Sequence, residues 1–477
     1  MMKFFCYTFF GDFMSTLKNN LIGNKNFYRR VIAIVVPLII QNTITNVVSL
    51  LDNVMVGSIG TLEMSAVAIV NQLIFVFNLC IFGGLAGAGI FSTQYAGAND
   101  NEGVRHCFRM KVYIGALMLV IASVVFTVFS NPLISSYLAE DTSPADAAAT
   151  LGFGVDYLNI MVIGLLPFTV SQIYSSTLRE LGETKLPMFA SIFAIVINLV
   201  FNYLLIFGKF GFPRLGVSGA AIATVMSRFV EAIIIVVVVF VKRNNFPFIK
   251  GAFRSFYIPG KLCKNIFTKG SPLLINEFLW SAGMAVLLQC YSVRGLDVVA
   301  AVNISNTINN LFNVIFLSMG VALGVVVGQC LGADDVEEAK VSVWRLIALS
   351  IVICLVMGGI MALLAPYIPN IYNTETHVKE MATRFLFVVA GLMPIFSFSH
   401  CCYFTLRSGG RTILTFVFDS AFTWGIAVPF AYCLAKFTEL PIVPLYLAVQ
   451  SLEFVKCIVG YILVKKGLWI RNIVSDK

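Results

Sequence analysis

The first residue in this chain to call for a chemical reason is an acid inside an apolar stretch. Asp52 stands in LLDNVMVG, where a charged side chain costs roughly 2.5–3.5 kcal/mol even on insertion scales. Desolvation disfavours its ionised form and brings proton binding within reach. A hard cation such as Na⁺ would instead keep it ionised through oxygen ligands. Asn198 and Asn202 lie four residues apart in a second apolar stretch, so they share one helix face and offer two amide oxygens. Arg228 and Glu231 are spaced to pair internally, as are Glu453 and Lys456, whereas Asp419 has no such partner nearby in the chain. Glu277 sits early in another apolar stretch. His400, in SHCCY, reads as a packed neutral imidazole, and His106 and His377 fall in polar connections. No Ser/His/Asp or Cys/His set is spaced for catalysis or zinc, and no GxxxxGK[ST] loop offers a phosphate cradle. The expectation is a protein that moves or binds something, neither an enzyme nor an ATP-driven pump.

The elements that must hold these residues follow from composition. Of 477 residues 58% are hydrophobic and 12% charged, against about 25% charged in soluble domains. Too little charge remains to cover a soluble globule of this size, so the chain reads as an integral membrane protein. A bilayer core needs about 20 apolar residues per helix. Twelve segments qualify: 31–55, 64–92, 112–130, 151–175, 186–207, 217–241, 271–293, 298–326, 343–366, 383–406, 412–434 and 441–464. Helices are required because each backbone amide must be paired within its own segment. The fold class expected is therefore all-α and polytopic. Most of the 33 basic residues fall in alternate connections, from Lys25, Arg29 and Arg30 to Arg105, Arg109 and Lys111, then Lys242–Lys269, and finally Lys465, Lys466 and Arg471. The bias predicts that both termini are cytoplasmic, and it explains the net charge of +9 without nucleic acid. The opening MMKFFCYTFFGDF is too short to span and reads as a peripheral arm or an upstream start before Met14. Eleven scattered cysteines read as small apolar filler.

The halves also repeat. QYAGANDNEGVR, holding Gln94 and Gly97, recurs as QCLGADDVEEAK, holding Gln329 and Gly332, 235 positions later. Pro37 recurs as Pro272 at the same offset. GLLPFTVSQIYSSTLRELGETK (Pro167, Arg179) recurs as GLMPIFSFSHCCYFTLRSGGRT (Pro394, Arg407). Six spans per copy place the copies in the same sense, a plan used by transporters with a midplane site. The division expected is an arm at 1–30, a six-helix lobe at 31–241, a linker at 242–269, a second lobe at 270–464 and a tail at 465–477. The four prolines should kink or hinge their helices. Arg179 and Arg407, each followed closely by glycine, should close helix C-termini.

FYRRVIAIVVPLIIQNTITNVVSLLDNVMVGSIG, STLRELGETKLPM, NLVFNYLLIFGKFGFPRLGVSGAAIAT, GSPLLINEFLW and TLRSGGRT, with the repeated Gln/Gly motif, resemble the multidrug and toxic compound extrusion (MATE) family. The resemblance covers nearly the whole chain. It implies export of organic, often cationic, small molecules from the plasma membrane of a bacterium, driven by H⁺ or Na⁺, with no other cofactor. Asp52 matches the family's coupling aspartate, with Asn198, Asn202 and Thr224 as companions. Some relatives carry an aspartate at Asn202, and its absence here leaves one titrating group. A functional glutamate of the family falls one turn after Glu277, at Trp280; these two, with Arg228 and Glu231, are the expected cavity residues. A lipid-linked saccharide flippase of the same superfamily is the alternative, although only Arg228 lies deep in the N-terminal lobe as a cation for a pyrophosphate. The lipid bilayer is the expected surrounding, and a single chain the working unit.

Overall fold

The computed structural model describes residues 23–138, 143–372 and 374–475; the apolar opening segment lies outside them. Among the described residues the protein is helical throughout, with twelve helices long and apolar enough to cross a membrane. In chain order they are α1 (Lys25–Gly57), α2 (Thr61–Gly97), α3 (Asn101–Val128), α4 (Pro144–Glu180), α5 (Lys185–Phe207) and α6 (Gly216–Val241). The second copy supplies α7 (Gly260–Ser292), α8 (Leu296–Gly332), α9 (Val336–Leu364), α10 (Thr376–Ser408), α11 (Thr412–Phe437) and α12 (Ile442–Lys465). Several helices outrun their apolar stretches. The 37 residues of α2 rise about 55 Å at 1.5 Å each, against a hydrocarbon core of about 30 Å.

The repeated motifs build matching joints. After α2 and after α8 the chain turns through a left-handed residue, Asn99 (φ 57°) or Asp334 (φ 59°), types whose short polar side chains tolerate that region. The next residue caps the following helix: Asp100 accepts from the Glu102 and Gly103 amides, and Asp335 accepts from the Glu338 amide. The second repeated motif ends α4 and α10 in the same way. Gly182 (φ 84°) and Gly410 (φ 70°) take the left-handed position, and the next amide reaches back to Leu178 or Leu406. The helix-stop reading of Arg179 and Arg407 thus stands. Pro37, Pro167, Pro272 and Pro394 all lie inside α-helices that continue through them.

α11 and α12 are irregular. α11 passes through two π-helical turns, Val417–Ala421 and Thr423–Ala427, and α12 breaks at residues 451 and 452 between Ile442–Gln450 and Glu453–Lys465.

Packing divides the chain into two compact units, and the division cuts through α1, α2 and α7. Among the described residues, one unit holds 23–39, Thr93–Asn99 and those from Leu279 onward. Its core joins Phe27, Val31 and Ile34 of α1 to Leu323, Val326 and Leu331 of α8, with Leu346, Leu406 and Trp469. The repeated glycines meet inside this unit. A Cβ on Gly97 would collide with the Gln329 carbonyl, and one on Gly332 with the Gln94 carbonyl. The two helix ends therefore cross backbone to backbone.

The other unit holds Ile40–Ser92 and Asp100–Phe278. Here α2 and α7 cross at Gly83, Gly87 and Gly270, with the Gly87 and Gly270 backbones in contact. The connection before α7 is strapped down by two arginines of α3. Arg109 donates to the carbonyls of Ala252, Tyr257 and Gly251, and Arg105 donates to Phe248. Lys111, expected among the solvent-facing connection charges, is fully buried instead, 2.6 Å from Glu180 and bonded to Ser176 and Thr177. The carboxylate supplies the charge that lets an ammonium remain in that interior.

Candidate functional site

Four of the polar residues picked out in the sequence form one connected group within the second unit. Asp52 comes from the C-terminal part of α1, Asn198 and Asn202 from one face of α5, and Thr224 from α6. Asn202 Nδ2 donates to Asp52 Oδ1 at 2.6 Å and to Asn198 Oδ1 at 3.2 Å. Asn198 Nδ2 reaches Thr224 Oγ1 at 3.3 Å, and that hydroxyl donates to the Ala220 carbonyl at 3.0 Å. Asn198 and Asn202 are buried. α5 and α6 pack closely enough to hold the four in register because Gly219 has no side chain; a Cβ there would come within 2.7 Å of the Leu205 carbonyl.

The Asn198 amide has two usable orientations. In one, its carbonyl faces Asp52; turned over, its NH₂ donates to both Asp52 oxygens at 3.1 Å and its carbonyl accepts from Thr224. Two acceptors that close repel each other unless a positive charge lies between them. The Asn202 Oδ1 atom is buried with no hydrogen-bond partner. An unpaired buried acceptor costs about 1–3 kcal/mol. The group thus gathers oxygens from a carboxylate and two amides, one of them unused, around a single acid. That donor set suits a hard monovalent cation or a proton. One member was missed in the sequence: Tyr157 of α4, buried, with its side chain hydrogen-bonded to Thr224 and within electrostatic reach of Asp52 and Arg228. GVDYLN carries no periodic signal, and only the packing of α4 on α6 brings it in.

Arg228 and Glu231 do not form the internal pair their spacing suggested. The Arg228 guanidinium reaches the Gly164 carbonyl at 3.4 Å and lies over the Phe168 ring at 5.1 Å. Glu231 accepts from Ser191, whose hydroxyl in turn accepts from Gln41 at 2.7 Å. The residues share a helix face, but each finds a nearer partner on a neighbouring helix. Glu277 is half-buried on α7, its Cγ against Gly83 of α2, and Trp280 one turn later is 40% exposed.

In the first unit, Glu453 and Lys456 do pair, at 3.2 Å, and Asp419 gains the partner its sequence neighbours lacked, with Lys456 at 3.1 Å. His400 packs among Phe316, Tyr403 and Phe404. The repeat offset of 235 relates Asn78 to Asn313, and both carry a buried, unpartnered Oδ1. Continuing the repeat comparison past its first motifs would have found them. The ten described cysteines are all free.

The model of the MatE family matches residues 37–204 and 272–433. "Probable multidrug resistance protein NorM" of Thermotoga maritima is 24% identical over 452 residues, covering 94% of each chain. "Probable multidrug resistance protein YoeA" of Bacillus subtilis is 23% identical, covering 94% of this chain and 96% of its own. Among solved structures, one described as MATE in complex with MaD3S superposes with a TM-score of 0.82 at 20% identity, over 92% of this chain and 95% of the other. An outward-facing multidrug resistance MATE family transporter of the MOP superfamily gives 0.79 at 20% identity, with the same coverage.

Proposed function

Since the chain belongs to the MatE family, it is a multi-pass transporter of the plasma membrane and not an enzyme, and we propose that it expels organic, cationic small molecules by exchanging them for H⁺ or Na⁺ bound at Asp52. The Asp52–Asn202–Asn198–Thr224 group is the observation that carries this reading. Relatives over nearly the full length are described as multidrug resistance proteins, which supports the cargo class. With both termini cytoplasmic, the Asp52 group lies toward the outer face and meets the entering cation first.

In this mechanism Asp52 takes up the cation when the outer side is open. Asn202 holds the carboxylate in place, and its unused oxygen, with the Asn198 carbonyl turned inward, completes the shell for Na⁺. When the ligand is a proton, the Asn198 carbonyl accepts from the protonated acid; with Asp52 empty and ionised, Asn198 turns its NH₂ to the carboxylate instead. Glu277, Arg228, Glu231 and Trp280 meet the cargo, and a single chain suffices because both copies of the repeat are in it. Inward passage of one charge across 100 mV supplies about 2.3 kcal/mol, and outward passage of a singly charged cargo consumes the same amount, so a one-for-one exchange runs on the concentration gradient of the coupling ion.

The test is dye transport in proteoliposomes with Na⁺ and pH gradients imposed separately, for the wild type and Asp52→Asn. One gradient should drive wild-type transport, and the variant should lose that response. Undiminished gradient-driven transport by Asp52→Asn would sink the coupling role.

A further inference from the structure

We propose that residues 467–475, which follow the last membrane helix, are a latch that clasps the final turn of α2 to the ends of α8 and α10 and must let go of Gln94 whenever that end of the protein opens. The segment turns at Gly467 (φ 67°) and runs back beneath its own unit. Trp469 is 1% exposed, with its indole donating to the Val464 carbonyl at 3.1 Å. Its own carbonyl lies where a Cβ of Gly409 would be, so only glycine leaves room for the strand at the end of α10. Arg411 Nε donates to the Leu468 carbonyl at 3.0 Å.

Gln94 is the keeper. It is fully buried and its amide has no capacity left on the donor side: Nε2 donates to the Ser408 carbonyl at 3.0 Å and to the Arg471 carbonyl at 3.1 Å. Its oxygen accepts from the Ile473 amide at 2.8 Å. Asn472 adds a second clasp, donating at 2.8 Å to Asp334, the left-handed residue of the α8–α9 turn. The Asn472 side-chain Oδ1 accepts from the Val474 and Ser475 amides, which fixes the segment's direction.

Gln329, the counterpart of Gln94, accepts from Arg30 at 2.6 Å. One copy of the motif is thus held by an N-terminal arginine and the other by the C-terminal segment, at a crossing where the Gly97 and Gly332 backbones touch the opposite copy. A buried glutamine with three main-chain partners on two segments is a join that separates only as a set. The purpose assigned to the latch rests on the exchange mechanism proposed above, with the protein opening to each side in turn; its existence as a separable tie does not.

Cys330, buried beside the crossing, reports on it, and Cys402, buried deep in α10 of the same unit, reports on unfolding. The experiment is peptide-resolved alkylation of purified full-length protein with N-ethylmaleimide, comparing wild type with Gln94→Ala, Trp469→Ala and the milder, surface Asn472→Ala. Cys330 should react about tenfold faster in Gln94→Ala and Trp469→Ala, the shift expected when one or two hydrogen bonds or a packed anchor are lost, and measurably faster in Asn472→Ala. Cys402 should stay silent in all three. Unchanged Cys330 reactivity overturns the latch. So does a parallel rise at Cys402 in every variant, which would make the segment a plain part of the folded core. If Cys330 responds as stated while dye transport by the wild type fails, the latch stands and the transport reading falls.

Discussion

At the scale of single residues, the candidate site is one acid surrounded by amides. Replacing Asn202 by Asp would place a second carboxylate within hydrogen-bond distance of the first. Two carboxylates that close cannot both stay ionised, so the pair should hold a proton to higher pH than Asp52 alone. Asn202→Asp should move the pH midpoint of dye transport upward by about one unit or more and weaken any response to Na⁺; a pH profile at fixed Na⁺ checks this, and an unmoved midpoint contradicts it. Lys111 gives a second case. Lys111→Met leaves Glu180 in the interior without its cation, which should cost about 3–5 kcal/mol, whereas Lys111→Met with Glu180→Gln should recover much of the loss. Thermal unfolding of the three proteins in one detergent decides it. Asp52 and the Asn198/Asn202 face were legible in the sequence because an acid and spaced amides stand out against apolar residues. Tyr157 and the Lys111–Glu180 pair were not, because they depend on which helices pack together. The Arg228–Glu231 pairing failed for the same reason: spacing says which residues share a face, and neighbouring helices offer closer partners.

At the scale of elements, the repeated motif is a joint made twice, so its parts should respond alike. Asp100→Ala and Asp335→Ala each remove a side-chain cap from a long helix and should each cost about 1 kcal/mol in unfolding. A loss at one site with none at the other would show that the two joints differ more than their geometry suggests. Gly97→Ala is more severe, because the new methyl meets a carbonyl on the opposite helix instead of a flexible side chain. It should lower thermal stability by about 1–3 kcal/mol, and a Gly332→Ala change should match it. The twelve helices were readable from apolar length alone, and the joints from the repeat. The π-turns of α11 and the break in α12 left no mark on apolar length, since both segments still read as continuous spans despite Asp419, Glu453 and Lys456.

Across the whole molecule, the apolar pattern gives the number of helices and leaves their grouping to packing. Gly83, Gly87 and Gly270 let α7 lie against α2, and Arg109 binds the preceding connection to α3 through main-chain carbonyls. No periodicity in the chain announces either contact. Arg109→Ala should free residues 246–257 and speed trypsin cleavage near Arg254 several-fold, with the melting temperature little changed; a cleavage rate equal to wild type would mean the aromatic packing of Phe248 suffices.

The crossing of α2 and α8 has a consequence for how such a chain can be assembled. Gly97 seats against the main chain at Gln329, and Gly332 seats against the main chain at Gln94, so the contact exchanges the same two residues in both directions. Identical subunits meet in this manner about a two-fold axis. A chain of six helices carrying just one copy would present both halves of that handshake and fit a twin of itself. Fusing the twins end to end would free each half to change alone.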